Sequence, residues 1–196
     1  MARIDDTALK LILTEARTQN KWQAKPVTEA QLREIVQIMS AGPTSINTQP
    51  VRIVFVTSAE GKARLKPHLS PGNVDKTMSA PVTAIIASDF NFHDLLPRTF
   101  PPNPAAREIF AGKDELIGMT ALRNGTLQGA YFMIAARAVG LDVGGMSGFN
   151  NAGVDAEFFA GTSVRSNFLC NVGHGDPAGV MGRLPRLPFD EIARIV

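Results

Sequence analysis

Ala41-Gly-Pro-Thr-Ser-Ile-Asn-Thr-Gln-Pro50 is the stretch on which the reading of this chain turns. Before it, Leu32, Ile35, Val36 and Met39 recur at helical spacing behind a Thr28–Gln31 capping box. After it, Val51-Arg-Ile-Val-Phe-Val-Thr57 reads as a strand. A connection between the two needs turn residues, which Gly42, Pro43 and Pro50 supply. It does not need Thr44, Ser45, Asn47, Thr48 and Gln49 together. A run so dense in hydrogen-bonding groups, with a backbone stiffened by proline, suits a flat ligand with polar edges. A hydrated loop that satisfies its own backbone has the same composition.

Outward from this stretch the chain alternates helices and strands. Asp5 and Asp6 can cap a first helix carrying Ala8, Leu9, Leu11, Ile12, Leu13 and Ala16. Ser58 caps a short helix to Leu65, residues 67–73 form a loop, and Asn73-Val-Asp-Lys76 opens another helical segment. Val82-Thr-Ala-Ile-Ile-Ala87 is a second strand, buried on both faces. Residues 97–113, with four prolines and the exposed-looking Phe100 and Phe110, read as a lid-like loop. Asp114 opens a helix that reaches Val139, apolar nearly all round and therefore central. Its Gly118, Gly125 and Gly129 each cost about 1 kcal/mol of helix propensity, which close approach of another backbone would offset. Ser166–Val172 is a further strand, and residues 180–196 form a C-terminal extension. One α+β domain over residues 1–196 is expected.

The 196 residues carry 20 basic and 18 acidic side chains, 44% hydrophobic residues and one cysteine. No Lys/Arg run builds a nucleic-acid footprint, and no apolar run spans a bilayer. Neither nucleic acid nor membrane is expected as a partner, and the expected compartment is the cytoplasm. Cys170, in Phe168-Leu-Cys-Asn-Val172, reads as a buried inert thiol. Gly173-His-Gly-Asp-Pro-Ala178 fits a dinucleotide fingerprint only superficially, because Pro177 and Gly179 disturb the helix it requires. Gly145-Met-Ser-Gly148 lacks the glycine of a nucleophile elbow at Phe149. His68, His93 and His174 lack ligand spacing, so no metal is expected. With no acid, base, nucleophile or metal set in view, an enzyme built on this chain would depend on a cofactor.

Pro43-Thr-Ser-Ile-Asn-Thr-Gln-Pro50 ahead of a strand resembles the Pro-Ser-Ser-x-Asn-x-Gln-Pro segment of the nitroreductase family. Other pieces follow in order. Ala16-Arg-Thr-Gln-Asn20 resembles the family's N-terminal basic element, with Ala16 and Asn20 where basic residues stand. Asn73-Val-Asp-Lys76 resembles its Asn-x-x-Lys, Gly144-Gly-Met-Ser-Gly-Phe149 its glycine-rich segment, and Arg183 or Arg186 its C-terminal phosphate contact. The resemblance implies an FMN-dependent intertwined homodimer with a mixed central β-sheet flanked by helices. It implies FMN contacts from Arg17, Thr18, Asn20, Pro43, Thr44, Ser45, Asn47, Asn73, Lys76, Met146, Ser147, Gly148, Arg183 and Arg186. Pro43–Asn47 would reach the flavin held mainly by the other subunit. The phosphate wants arginine forks, Lys76 would favour the reduced anion, and Met146-Ser147-Gly148 would offer backbone donors at N5.

Further segments narrow the resemblance. Gly-Pro-Thr-Ser, Arg-Ile-Val-Phe, Ala-Pro-Val-Thr-Ala-Ile, Met-Ser-Gly-Phe and Arg-Leu-Pro-Arg-Leu are similar to the malonic semialdehyde reductase branch, from the Rut pathway of bacterial pyrimidine degradation. That implies NADH- or NADPH-driven, ping-pong hydride transfer through flavin N5, giving 3-hydroxypropanoate. Ser147 stands where some members have an acidic residue. A generalist nitro- or quinone reductase and a flavin-binding protein without turnover remain alternatives. Arg98 and Arg107, flanking the lid, and Arg123, on the central helix, are candidates to fork the substrate carboxylate; the lid arginines are preferred.

Overall fold

A computed structural model describes residues 3–196. Asp5 caps α1 (Asp6–Leu9) by accepting from the Ala8 amide, and the chain widens at once into a π-turn over Lys10–Thr14. The single long first helix expected from periodicity is therefore broken, and none of its residues is buried. The Thr28–Gln31 capping box closes in both directions and starts α2 (Glu29–Ser40). β1 (Val51–Val56), α3 (Ala59–Leu65, capped by Ser58), α4 (Val74–Ser79) and β2 (Val82–Asp89) follow. After α5 (Leu96–Thr99) comes α6 (Asp114–Ala138), then β3 (Asp142–Met146), α7 (Asn151–Phe158), β4 (Val164–Gly173) and α8 (Phe189–Ile192).

The four strands form one sheet in the order β1-β2-β4-β3. An α+β fold was expected and is present. The expected mixed sheet is not, since among the described residues every strand pair is antiparallel. β2 is buried over Val82–Ser88 because both faces of the sheet are covered. Val82, Ala84 and Ile86 face Leu32, Ile35 and Met39 of α2 and Phe132, Ala135 and Ala136 of α6. Ile85 and Ala87 face a second core with Leu65, Leu69, Met146 and Val154. This alternation follows from the two-residue period of a strand.

α6 is the central helix. Gly125 and Gly129 sit on its buried face. A β-carbon on Gly125 would lie 3.2 Å from Ser88 Cβ and one on Gly129 2.5 Å from the Phe168 ring, so both glycines let the helix settle onto the sheet. The close neighbours are side chains on β2 and β4 rather than another helix backbone. Elsewhere on α6 Met119, Leu122 and Leu127 are exposed. Residues 97–113 are also more ordered than a loop. α5 and a 3₁₀ segment at Pro104–Ile109 pack round a small core of Phe92, Leu96, Ala106, Phe110 and Ala121. Phe110, expected to be exposed, is only 3% exposed. In the C-terminal extension Leu184, Leu187, Phe189 and Ile192 lie open. Among the described residues no helix is long and apolar enough to cross a membrane, and no group of three or more His, Cys, Asp and Glu side chains is placed to hold a metal.

Candidate active site

The residues singled out in the sequence gather into three groups. In the first, the segment after the π-turn runs along β3, the Gln19 amide donating to the Val143 carbonyl at 3.0 Å. This brings Arg17, Thr18 and Asn20 to a cavity of about 450 Å³ that Arg183 and Arg186 also line. Arg183 is tied back by hydrogen bonds to the Thr14 and Ala16 carbonyls. Arg137, not anticipated from the sequence, enters the same cavity from the last turn of α6. It donates to the Ile12 carbonyl at 2.9 Å, and burial lowers its pKa, opposed by the neighbouring Cys170 and Asp142. Four guanidinium groups thus converge on one concavity, the chemistry that binds a phosphate.

The second group continues from the first. Trp22 Nε1 donates to the Lys76 carbonyl at 3.0 Å, joining the Arg17 segment to α4. One turn earlier Asn73 Nδ2 donates to the Gly148 carbonyl at 2.7 Å, and the Ser70 amide donates to the same oxygen at 3.0 Å. A β-carbon on Gly148 would fall 2.6 Å from Asn73 Nδ2, so the loop after β3 lies this close only because residue 148 is glycine. Met146 is buried with its sulfur accepting from Thr77 Oγ1 at 3.4 Å, whereas Ser147 is exposed. β3 runs between the two groups, and its five residues span about 16 Å.

The third group is the opening stretch. Ile46, Asn47 and Gln49 all have positive φ, at 40°, 54° and 42°. Three such residues within four positions are held only where the surroundings insist on it. Here α6 does so with two buried amides one turn apart. Asn124 Oδ1 accepts from the Ser45 amide at 2.8 Å, and Gln128 Oε1 accepts from the Val51 amide at 3.0 Å. Tyr131 donates to the Pro43 carbonyl at 3.1 Å, and Thr44 Oγ1 accepts from the Gln49 amide at 3.3 Å. Arg52 donates to the Gln49 carbonyl and pairs with Asp89 at 2.6 Å. Asn47 Nδ2 donates to the Thr99 carbonyl at 2.6 Å, so the 97–113 segment is fastened to this loop.

This third group does not meet the other two within one chain. It leads into β1 while the second group ends β3, and these are opposite edges of the sheet, three strand spacings or about 14 Å apart. Arg98, exposed on α5, directly precedes Thr99, whose carbonyl accepts from Asn47. Arg107 is within 3.5 Å of Asp94 and 3.8 Å of Glu108, and its charge is partly matched. Arg123 is exposed on α6. Cys170 is fully buried, and its burial pushes the thiol up to about 12. Arg137, Asn124 and Gln128 were missed by sequence reasoning; the signal available for the two amides was their one-turn spacing, each directly before a glycine of the helix.

The comparisons with known proteins agree with this architecture. The model of the nitroreductase family matches residues 13–174. A Burkholderia lata protein provisionally named NADH dehydrogenase/NAD(P)H nitroreductase is 57% identical over 195 residues, covering 100% of both chains. HadB of Ralstonia pickettii, provisionally given the same description, is 55% identical over 186 residues, covering 94% of this chain and 95% of its own. Among solved structures, an Exiguobacterium sibiricum protein provisionally described as a nitroreductase, in complex with FMN, superposes with a TM-score of 0.87 at 19% identity, covering 100% of both chains. The chain belongs to the nitroreductase family.

Proposed function

We propose that the protein is an FMN-dependent oxidoreductase driven by NADH or NADPH, working as a homodimer, with malonic semialdehyde as its substrate and 3-hydroxypropanoate as the product. The observation that carries the flavin reading is the convergence of Arg17, Arg137, Arg183 and Arg186 on one cavity from which Trp22·Lys76 and Asn73·Gly148 continue. FMN fits such a donor set. The arginines match a phosphate that carries close to two negative charges, Thr18 and Asn20 add neutral donors beside it, and Gly148 lets Asn73 close onto the loop after β3. When bound, FMN supplies hydride transfer between the nicotinamide and the acceptor.

The chain's own residues set the conditions for that chemistry. Lys76 places a cation beside the ring and favours its reduced, anionic form. Asn73 fixes the Met146-Ser147-Gly148 backbone. Pro43, Thr44, Ser45 and Asn47, separated from this site within one chain, complete it in the partner subunit of the dimer. The exposed Met119, Leu122 and Leu127 on α6 give that dimer an apolar surface to bury. Arg98, directly before the Thr99 that Asn47 holds, travels with the partner's loop and forks the substrate carboxylate. Arg107, already near Asp94, is the lesser candidate. A second reading, general nitro- or quinone reduction, is favoured by the names of the full-length relatives.

The test is spectroscopic. Purified protein titrated with FMN should bind one flavin per subunit of a dimer in sedimentation. NADH or NADPH should bleach the yellow colour, and malonic semialdehyde should restore it faster than a nitroaromatic or a quinone. A protein that stays colourless with added FMN refutes the flavin reading. Fast reoxidation by quinones alone selects the second reading, and a bound flavin that is never bleached would mark a binding protein without turnover.

A further inference from the structure

Beneath α4 lies a charged side chain that neither the site nor the core accounts for. Lys62, on α3, is 5% exposed. Its Nζ donates to the Thr77 carbonyl at 2.7 Å and to Thr83 Oγ1 at 2.5 Å. Among the described residues no carboxylate pairs with it. An unpaired ammonium is costly to bury, and an apolar side chain of similar length would fill the same space between α3 and β2. Stability alone therefore does not explain a lysine here.

The hydrogen bonds leading away from Lys62 all run toward the candidate site. Thr83 Oγ1 donates to Asn171 Oδ1 at 2.6 Å. Asn171 Nδ2 then donates to the Lys76 carbonyl at 3.2 Å and to Thr77 Oγ1 at 3.4 Å. Thr77 Oγ1 donates to the Met146 sulfur. One ammonium thus grips α4 at Thr77 directly and at Lys76 through β2 and β4, and the same relay reaches the last residue of β3. It also faces the C-terminal turn of α4, whose last carbonyls have no partner within the helix and attract a cation.

We propose that Lys62 is a positioning residue for this site: its buried ammonium holds the α4 turn that carries Asn73 and Lys76 against the end of β3, and so sets how tightly the flavin is bound and how readily it is reduced. The proposal rests on the flavin reading above, and its test separates the two. Trp22, the chain's one tryptophan, donates to the same Lys76 carbonyl and reports on α4 without any flavin.

Lys62→Met should shift the fluorescence emission of Trp22 in the flavin-free protein. It should weaken FMN binding about tenfold and lower the two-electron midpoint potential by about 30 mV, the equivalent of a tenfold bias against the reduced form. The melting temperature should not fall, because the desolvation of the ammonium is relieved. Thr83→Val, which cuts the relay to Asn171 but keeps the charge, should move emission and FMN affinity the same way by about threefold in affinity, and it stands in if the first variant does not fold. A lowered melting temperature with unchanged emission, affinity and potential would make Lys62 merely structural and overturn the proposal, as would a Thr83→Val protein identical to wild type in emission and affinity. Wild-type protein that binds no FMN, with Trp22 emission still answering to Lys62→Met, would end the flavin reading and leave the hold on α4 standing.

Discussion

Gly125→Ala is the sharpest probe of how α6 is seated. In an isolated helix the change would gain about 1 kcal/mol. Here the new methyl meets Ser88 of β2, with Ser88 Cβ at 3.2 Å and the hydroxyl oxygen nearer still. The buried hydroxyl must be driven out of its position, and the β-carbon, fixed to the strand, cannot move with it. Overpacking costs about 1–3 kcal/mol, and overlap with both Ser88 atoms puts this site in the upper part, about 2–3 kcal/mol, so the net loss after the helix gain should be about 1–2 kcal/mol. For a chain of this size that lowers the melting temperature by about 2–8 °C. Ser88→Ala alone should be nearly neutral, because the Ser88 hydroxyl is buried without a hydrogen-bond partner. The two changes together should recover about 1 kcal/mol of the loss, read as a coupling energy in a double-mutant cycle of urea denaturation. Residue 124 holds the Ser45 amide, so Gly125→Ala should also raise proteolytic cleavage within residues 44–49. A Gly125→Ala protein as stable as wild type, or strictly additive with Ser88→Ala, would refute the close seating of α6 on β2.

Much of the fold was legible because the signals were local. The Thr28–Gln31 capping box, the Ser58 cap and the strands from Val51 and Val82 each depend on a few consecutive residues, and each is present. β3 was not legible: Val143-Gly-Gly has little intrinsic preference for extended backbone and becomes a strand only by pairing with β4. The 97–113 segment was read as open because its prolines break long helices, yet short turns built round Phe92 and Phe110 still bury its aromatics. At the site, the sequence supplied the polar stretches but not their convergence. Arg17 and Arg183 are far apart in the chain, and only the path of residues 17–22 along β3 brings them to one cavity. Arg137 was hidden for the same reason, since a basic residue near a helix C-terminus is ordinary until the cavity in front of it is known.

Three further perturbations test the site. Arg137→Gln removes a half-buried guanidinium from the arginine-lined cavity and should weaken FMN binding by about 1.5–3 kcal/mol, tenfold or more in a fluorescence titration. Riboflavin, which lacks the phosphate, should bind as before, and equal losses for both ligands would remove Arg137 from any phosphate contact. Burial holds Lys62 at about 8, against 10.5 ordinarily. The unfolded chain therefore binds more protons between those values, so the destabilisation of about 3 kcal/mol is fully present below pH 8 and is relieved as pH rises toward 10.5. The stability of flavin-free wild type relative to Lys62→Met should accordingly climb between pH 8 and 10 in urea melts, and a flat difference would show that Lys62 is not desolvated. The last test concerns the substrate. A short aldehyde acid must be held by its carboxylate, and this task cannot fall to Arg17, Arg137, Arg183 or Arg186 if they are occupied by a phosphate. Arg98 is exposed, and its neighbour Thr99 is fastened to Asn47, whereas Arg107 lies within reach of two carboxylates. Arg98→Gln should therefore lower kcat/KM for malonic semialdehyde by about 1.5–3 kcal/mol, tenfold to beyond a hundredfold, and leave an uncharged quinone nearly untouched. Equal losses on both substrates would mean that Arg98 only supports the fold of the 97–113 segment. No loss on either would move the carboxylate contact elsewhere and, if Arg107→Gln were also silent, would withdraw the aldehyde acid as the substrate.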